Sequence, residues 1–197
     1  MPYTQEHKAK TRDRIVDSAW RLFNRHGFTG VSIDEIMEDA GLTRGGFYNH
    51  FDTKDELYAE VVTHALAGRK KQVAKESCPE PRTLPELISA YLAQAHFDNR
   101  ETCCPLMALP SDVARGGESV KRAYRQVLEY MIGNFEKGLA GPKARKQAIA
   151  LASLCVGAMA VARAVDDPNL ADEIREAAQD VALAIGGRDR LVVVAAE

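Results

Sequence analysis

The stretch at residues 32–57, SIDEIMEDAGLTRGGFYNHFDTKDEL, constrains the fold more than any other part of the chain. Ser32 and Glu35 form an S-x-x-E capping box, in which each residue supplies a partner for a free N–H at a helix start. Ile33, Ile36, Met37 and Ala40 then recur at helical spacing and give this segment one apolar face. Gly41 offers the left-handed conformation that ends a helix, and Leu42 plugs the angle to the next one. Thr43 is an N-cap for a second helix over residues 44–50, which Phe51 and Asp52 break. Thr53 and Glu56 make another box, T-x-x-E, and open a third helix over residues 54–76.

The middle helix is weak on its own terms. Gly45 and Gly46 lie near its start, and each costs about 1 kcal/mol relative to alanine inside a helix. A short helix with that handicap implies a backbone that must come close to something else. In a helix-turn-helix unit that something is the DNA major groove, entered by the N-terminal residues of the second helix.

An opening helix over residues 6–26 precedes this unit. Ile15, Ala19, Leu22 and Phe23, with Val16 and Trp20 beside them, form a broad apolar stripe, and Trp20 reads as packing against the fourth helix. Gly27 is its C-cap, and Phe28 and Val31 tuck the connection onto the small core. The net charge of −2 does not advertise nucleic-acid binding. Locally, Lys8, Lys10, Arg12, Arg14, Arg21 and Arg25 outnumber Glu6, Asp13 and Asp17, a basic excess where phosphates would be met.

These residues together resemble the TetR/AcrR family of one-component transcriptional repressors. The carrying elements are the opening helix with Arg25-His26-Gly27-Phe28, then Val31-Ser32-Ile33-Asp34-Glu35-Ile36, Ala40-Gly41-Leu42-Thr43, Phe47-Tyr48-Asn49-His50-Phe51 and Lys54-Asp55-Glu56-Leu57. The resemblance covers about residues 8–66; beyond it only length and helical character match. It departs in Gly45-Gly46, where the family often has one small and one variable residue, so less side-chain readout is expected there. It implies that Thr43, Arg44 and Gly45 reach base edges, that Tyr48 and His50, exposed on a tiny helix, hold phosphates, and that Lys54 and Ser32 lie against the backbone at helix starts. Arg44 is the candidate for a bidentate guanine contact. Phe47 and Phe51 read as core, while Ser32 and Thr43 are read both as caps and as contacts.

The expected fold is all-α: a three-helix DNA-binding domain at residues 8–68, with its recognition segment at 33–52, then a helical effector-binding and dimerisation domain at 69–197, with about nine helices in all. Proline-rich residues 78–85 mark the junction. Helices follow at 84–99, after Pro105 through Val113, at 118–139, at 142–166 and at 169–185. The segment 148–164 is almost wholly apolar and rich in Ala and Gly, so it must be buried on every side. Pairing of helices 142–166 and 169–185 with their copies in a second subunit achieves that, and the resemblance implies the same homodimer. Its two recognition helices would sit about one DNA turn apart, roughly 34–36 Å, on a palindromic operator.

An unidentified small-molecule effector is expected among the later helices, with Tyr91, Phe97, Cys103, Cys104, Met107, Tyr124, Leu128, Met131 and Met159 as candidates; apolar residues with a few polar or soft groups suit such a pocket. Arg163, a lone charge in the apolar helix, is read as pairing with Asp166, Asp167 or a carboxylate across the dimer. Cys103-Cys104-Pro105 sits at a helix start, where thiols become reactive, and this carries the alternative of a redox- or electrophile-sensing repressor. No CxxC or Cys/His metal spacing is present, and neither catalytic residues nor a cofactor are expected. The N-terminus lacks the apolar core of a signal peptide and no apolar run reaches the roughly 20 residues of a membrane span, so the expected location is cytoplasmic with reduced cysteines. The apolar tail at 188–197 receives no role.

Overall fold

A computed structural model of the chain describes residues 5–75, 83–99 and 104–186, with side chains described outside 65–75. The described residues are helical throughout, with short connections and no strand. In order they form α1 (Gln5–His26), α2 (Ile33–Asp39), α3 (Arg44–Phe47), α4 (Lys54–Lys75), α5 (Leu84–Leu92), α6 (Gln94–Asp98), α7 (Pro105–Ala108), α8 (Pro110–Arg115), α9 (Glu118–Lys137), α10 (Ala144–Ala164) and α11 (Pro168–Gly186). Eleven helices replace the expected nine because two segments break. The 84–99 segment turns extended at Ala93 (ψ 150°). The segment after Pro105 breaks at Leu109, because Pro110 has no N–H to continue the ladder. The junction at 78–82, Cys103 and the tail at 188–197 lie outside the described residues.

The chain divides into two compact units, one of Met1–Gln72 with Arg100–Val127, the other of Val73–Asn99 with Leu128–Glu197. In the first, α1, α2 and α4 enclose a core of Ile15, Phe23, Ile36, Leu57 and Tyr58, each at most 1% exposed. Trp20 packs edge-on against His64 of α4, with ring centroids 5.1 Å apart, as the opening stripe predicts. Phe28 stacks on Tyr58 at 4.5 Å. The Tyr58 hydroxyl is buried without a partner, and burial pushes its pKa well above the usual value.

In the second unit α10 packs on α11 and α5. Ala148, Leu151, Ala152, Cys155, Met159 and Ala162 form its buried face. Burial on every side does not hold within this chain: Ile149 and Val161 on α10, and Leu170 and Val181 on α11, are each 43% to 53% exposed. Contrary to the reading of the run, α10 is long and apolar enough to cross a membrane, with mean hydropathy 1.6, because its Ala, Leu and Val are diluted by few charges. It starts at Ala144 after an N-cap at Lys143, two residues later than the expected 142.

Arg163 makes no ion pair among the described residues. Its guanidinium donates to the carbonyls of His96, Phe97 and Asn99 at 2.6–3.2 Å, closing the free end of α6. Arg175 of α11 does the same for α5 by donating to the Leu92 carbonyl at 3.0 Å, and it also bonds Gln94 and Asp172. The break at Ala93 is therefore held by Arg175 of α11, and the far end of α6 by Arg163 of α10.

Candidate nucleic-acid interface

The capping box at Ser32 forms in full. The Glu35 N–H donates to the Ser32 hydroxyl at 3.2 Å, and the Glu35 carboxylate accepts from the Ser32 N–H at 2.6 Å and hydroxyl at 2.7 Å. Those bonds hold the Glu35 carboxyl below its ordinary range. Gly41 takes φ +64°, the left-handed value that ends α2, and only glycine enters it without strain. Behind the turn, Arg14 reaches the Ala40 carbonyl at 2.5 Å, while the Ser18 hydroxyl shares its one proton between the Ile36 carbonyl at 2.9 Å and Asp39 at 2.6 Å. The second box is rearranged: Glu56 donates its N–H to Thr53 Oγ1 at 3.1 Å, but its carboxylate accepts from Asp52 instead of Thr53.

The α3 helix is shorter than the expected 44–50. It has four residues, Arg44–Phe47, and Tyr48, Asn49 and His50 continue as a turn. Thr43 is its N-cap by backbone conformation but makes no side-chain cap bond. Phe47 and Phe51, 0% and 1% exposed, anchor it to the core. Burial of a phenylalanine stabilises by about 1.5–3 kcal/mol, so the two together exceed the roughly 2 kcal/mol cost of Gly45 and Gly46.

The fold gives Gly45 no internal reason to be glycine. Its φ is not positive, and a Cβ built there meets nothing within 4 Å. At Gly46 the nearest atom, Met37 Cε, would lie 3.5 Å away, an ordinary contact.

Thr43, Arg44, Gly45 and Tyr48 are exposed together along α3 and its exit, Tyr48 by 56%, and Ser32 is exposed at the start of α2. Arg44 is clasped by Asp34 of α2, with Nη1 to Oδ2 at 2.9 Å, and both side chains are more than half exposed. His50 departs from the exposed reading. It is half-buried, its Nδ1 is enclosed without a partner, and burial, then Lys8 and Arg12, pull its pKa below the ordinary 6.5. The Lys54 ammonium turns inward: it bonds the Phe28 carbonyl and lies 4.2 Å from the centroid of the Phe28 ring. Burial lowers its pKa as well.

Half of the basic excess of α1, Arg12, Arg14 and Arg21, is committed to the fold, while Lys10 forms an exposed pair within the helix. Lys10 pairs with Glu6 at 2.7 Å, Arg21 with Asp39 at 2.7 Å and Arg12 with Glu60 at 2.5 Å, while Arg14 holds the α2 exit. Sequence reasoning missed the inward roles of Arg12 and Lys54 and the clasp by Asp34. It also missed Asp112 of α8, which accepts from the Phe28 N–H at 2.9 Å across 84 residues of chain. No local pattern announces such a contact.

The effector candidates fall in both units. Cys104, Met107 and Tyr124 belong to the first; Tyr91, Phe97, Leu128, Met131 and Met159 belong to the second. Tyr124 donates to the Leu106 carbonyl at 3.0 Å, and its pKa is pushed up to about 12, chiefly by burial. The Phe97 ring lies 4.9 Å from the Arg175 guanidinium and 5.9 Å from that of Arg163. Cys104 is a half-buried free thiol, and Cys155 a buried one whose pKa burial pushes up to about 12.

Residues 15–61 match the family model described as bacterial regulatory proteins, tetR family. The chain is 31% identical over 96 residues to the HTH-type transcriptional regulator TtgW of Pseudomonas putida, itself uncharacterized, covering 47% of this chain and 69% of TtgW. Against three other curated regulators the matched stretch spans only 27% to 44% of their length. Among solved structures, E. coli NemR in its reduced form superposes with TM-score 0.71 at 20% identity, covering 88% of this chain and 95% of NemR. A SmeT–triclosan complex superposes with TM-score 0.64 at 23% identity, covering 89% and 90%. The two structural likenesses speak to the fold, and the family match and TtgW to the lineage: the chain belongs to the TetR family of bacterial regulatory proteins.

Proposed function

We propose that the protein is a homodimeric DNA-binding repressor that releases a palindromic operator when a small molecule binds its larger helical region. The observation that carries the DNA-reading part is Gly45. It weakens a four-residue helix, and neither backbone conformation nor internal packing asks for it. A residue kept small without an internal reason leaves room for an external one, and a base edge approaching the start of α3 supplies it. Thr43, Arg44 and Gly45 are the proposed base-reading surface. Tyr48 and Ser32 are the proposed phosphate contacts, with His50 contributing as a neutral imidazole and Lys54 through the start of α4. The exposed apolar residues Ile149, Val161, Leu170 and Val181 support pairing through α10 and α11.

The SmeT–triclosan complex supports effector binding as a property of this fold. An effector that prefers the non-binding conformation releases DNA in proportion to that preference, and tenfold release needs about 1.4 kcal/mol. The protein acts in the cytoplasm, where the operator is. The thiol alternative runs through Cys104 and Cys103. Mass spectrometry after mild peroxide decides it: unmodified thiols with DNA binding intact remove it.

The test of the reading is Gly45→Ala, scored by anisotropy on a duplex selected from a randomised pool. Alanine should raise thermal stability slightly, since glycine costs about 0.5–1 kcal/mol in a helix, while affinity for the duplex falls. Affinity unchanged or improved refutes the close approach. Arg44→Ala should cost about 1–3 kcal/mol on the same duplex and relax specificity at one position.

A further inference from the structure

The α3 helix has to be held still by something outside itself. It has four residues and no side-chain cap at its start, and its exit runs straight into the turn of Tyr48, Asn49 and His50. One side chain meets that exit. Arg12 of α1 directs Nη1 to the His50 carbonyl, and its Nε is 3.1 Å from both oxygens of Glu60 on α4. Its Nη2 bonds Glu60 Oε2 at 2.5 Å, and its guanidinium carbon lies 4.0 Å from the centroid of the Phe51 ring. A second carboxylate, Glu56, stands 3.8 Å away. The guanidinium thus touches α4, the α3 exit and the aromatic anchor Phe51 at once. It carries a counter-charge of its own, which distinguishes it from a cation waiting for phosphate.

We propose that Arg12 is the positioning residue of the reading helix, fixing the angle of α3 by tying its exit to α1 and α4, and that it is not a phosphate ligand. This rests on the DNA-reading function proposed above. The arrangement needs the planar fork of arginine: two parallel bonds to a carboxylate, one to a carbonyl, and a flat face on a ring. A lysine ammonium keeps the charge but cannot make these contacts together. Glu60 aims the guanidinium and belongs to the same device.

Two variants separate positioning from charge. Both are measured on a random-sequence duplex and on a duplex selected from a randomised pool, across a salt series, at temperatures where circular dichroism shows the variant folded. Arg12→Lys should lose about tenfold on the selected duplex, the scale of one lost charge-assisted hydrogen bond, and much less on the random one, so the specificity ratio falls. Arg12→Ala should fall at least as far with its salt slope unchanged, whereas loss of a phosphate contact lowers the slope by about 0.9. Glu60→Gln should reproduce part of the loss in specificity. Wild-type affinity in Arg12→Lys overturns the proposal, as does an equal loss on both duplexes or a reduced slope in Arg12→Ala. If the wild type binds neither duplex, the DNA-reading function itself fails, an outcome read before any variant is compared.

Discussion

Gly27 and Asp112 form a contact whose energetics can be worked through. Gly27 ends α1 at φ +72°, and a Cβ built on it would sit 3.0 Å from Asp112 Oδ2. The same oxygen accepts the Phe28 N–H at 2.9 Å. Asp112→Ala removes a charge-assisted hydrogen bond, worth about 1.5–3 kcal/mol. In a chain of this size that lowers the melting temperature by about 3–12 °C. Gly27→Ala incurs about 1–2 kcal/mol of left-handed strain and also pushes the carboxylate off its bond to Phe28 by a few tenths of an ångström, for a total of at most about 5 kcal/mol. In the Asp112→Ala background the carboxylate is already gone, so Gly27→Ala should cost only the strain. The two changes should therefore fall short of additivity, by at most about 1.5–3 kcal/mol. Urea unfolding followed by fluorescence of Trp20, the only tryptophan and a residue of the same unit, measures the cycle. Hydrogen exchange at the Phe28 amide gives an independent reading. Additive losses, or a Phe28 amide equally protected in Asp112→Ala, would refute the reasoning.

Asp34→Asn frees Arg44 from its clasp, and since both side chains are exposed the gain is small: random-duplex affinity should rise by about fivefold at most, and the gain should shrink when Arg44 is alanine. An equal gain in both backgrounds would mean general charge and not the clasp. His50 has a lowered pKa in the fold, so below its ordinary 6.5 the unfolded chain binds the extra proton first. Its contribution to stability is complete above 6.5 and is lost as pH falls through that value towards the folded pKa; a flatter pH profile in His50→Gln, by thermal melts from pH 5 to 8, tests this. Cys155, with its thiol pushed up to about 12, should stay unalkylated by iodoacetamide at pH 8 in the native protein and react once unfolded, as peptide mass spectrometry will show.

The reading unit was legible because its signals are local. A capping box is two residues three apart, a left-handed turn is one glycine, and a buried face is a spacing; Ser32 with Glu35, Gly41, and Ile36 with Met37 all formed as read. The Thr53–Glu56 box formed only in half, because a neighbouring N–H competed for the carboxylate. What the sequence withheld was the direction of long cationic side chains. Lys54, Arg12, Arg14 and Arg163 read as outward or acid-seeking charges, yet each spends donors on backbone carbonyls of the protein itself. Those acceptors exist only once helices end near one another, so no residue spacing encodes them. The break at Ala93 was hidden for the same reason, because the arginine that holds it, Arg175, comes from α11.

The short α3 helix divides its labour between two sets of residues that do not overlap. Phe47 and Phe51 root it in the interior, while Thr43, Arg44, Gly45 and Tyr48 lie on its exposed side. Under the DNA-reading function proposed above, exposed positions can change while the buried aromatic pair still seats the helix, so a lineage carrying this head could drift from one target sequence to another without crossing an unfolded ancestor.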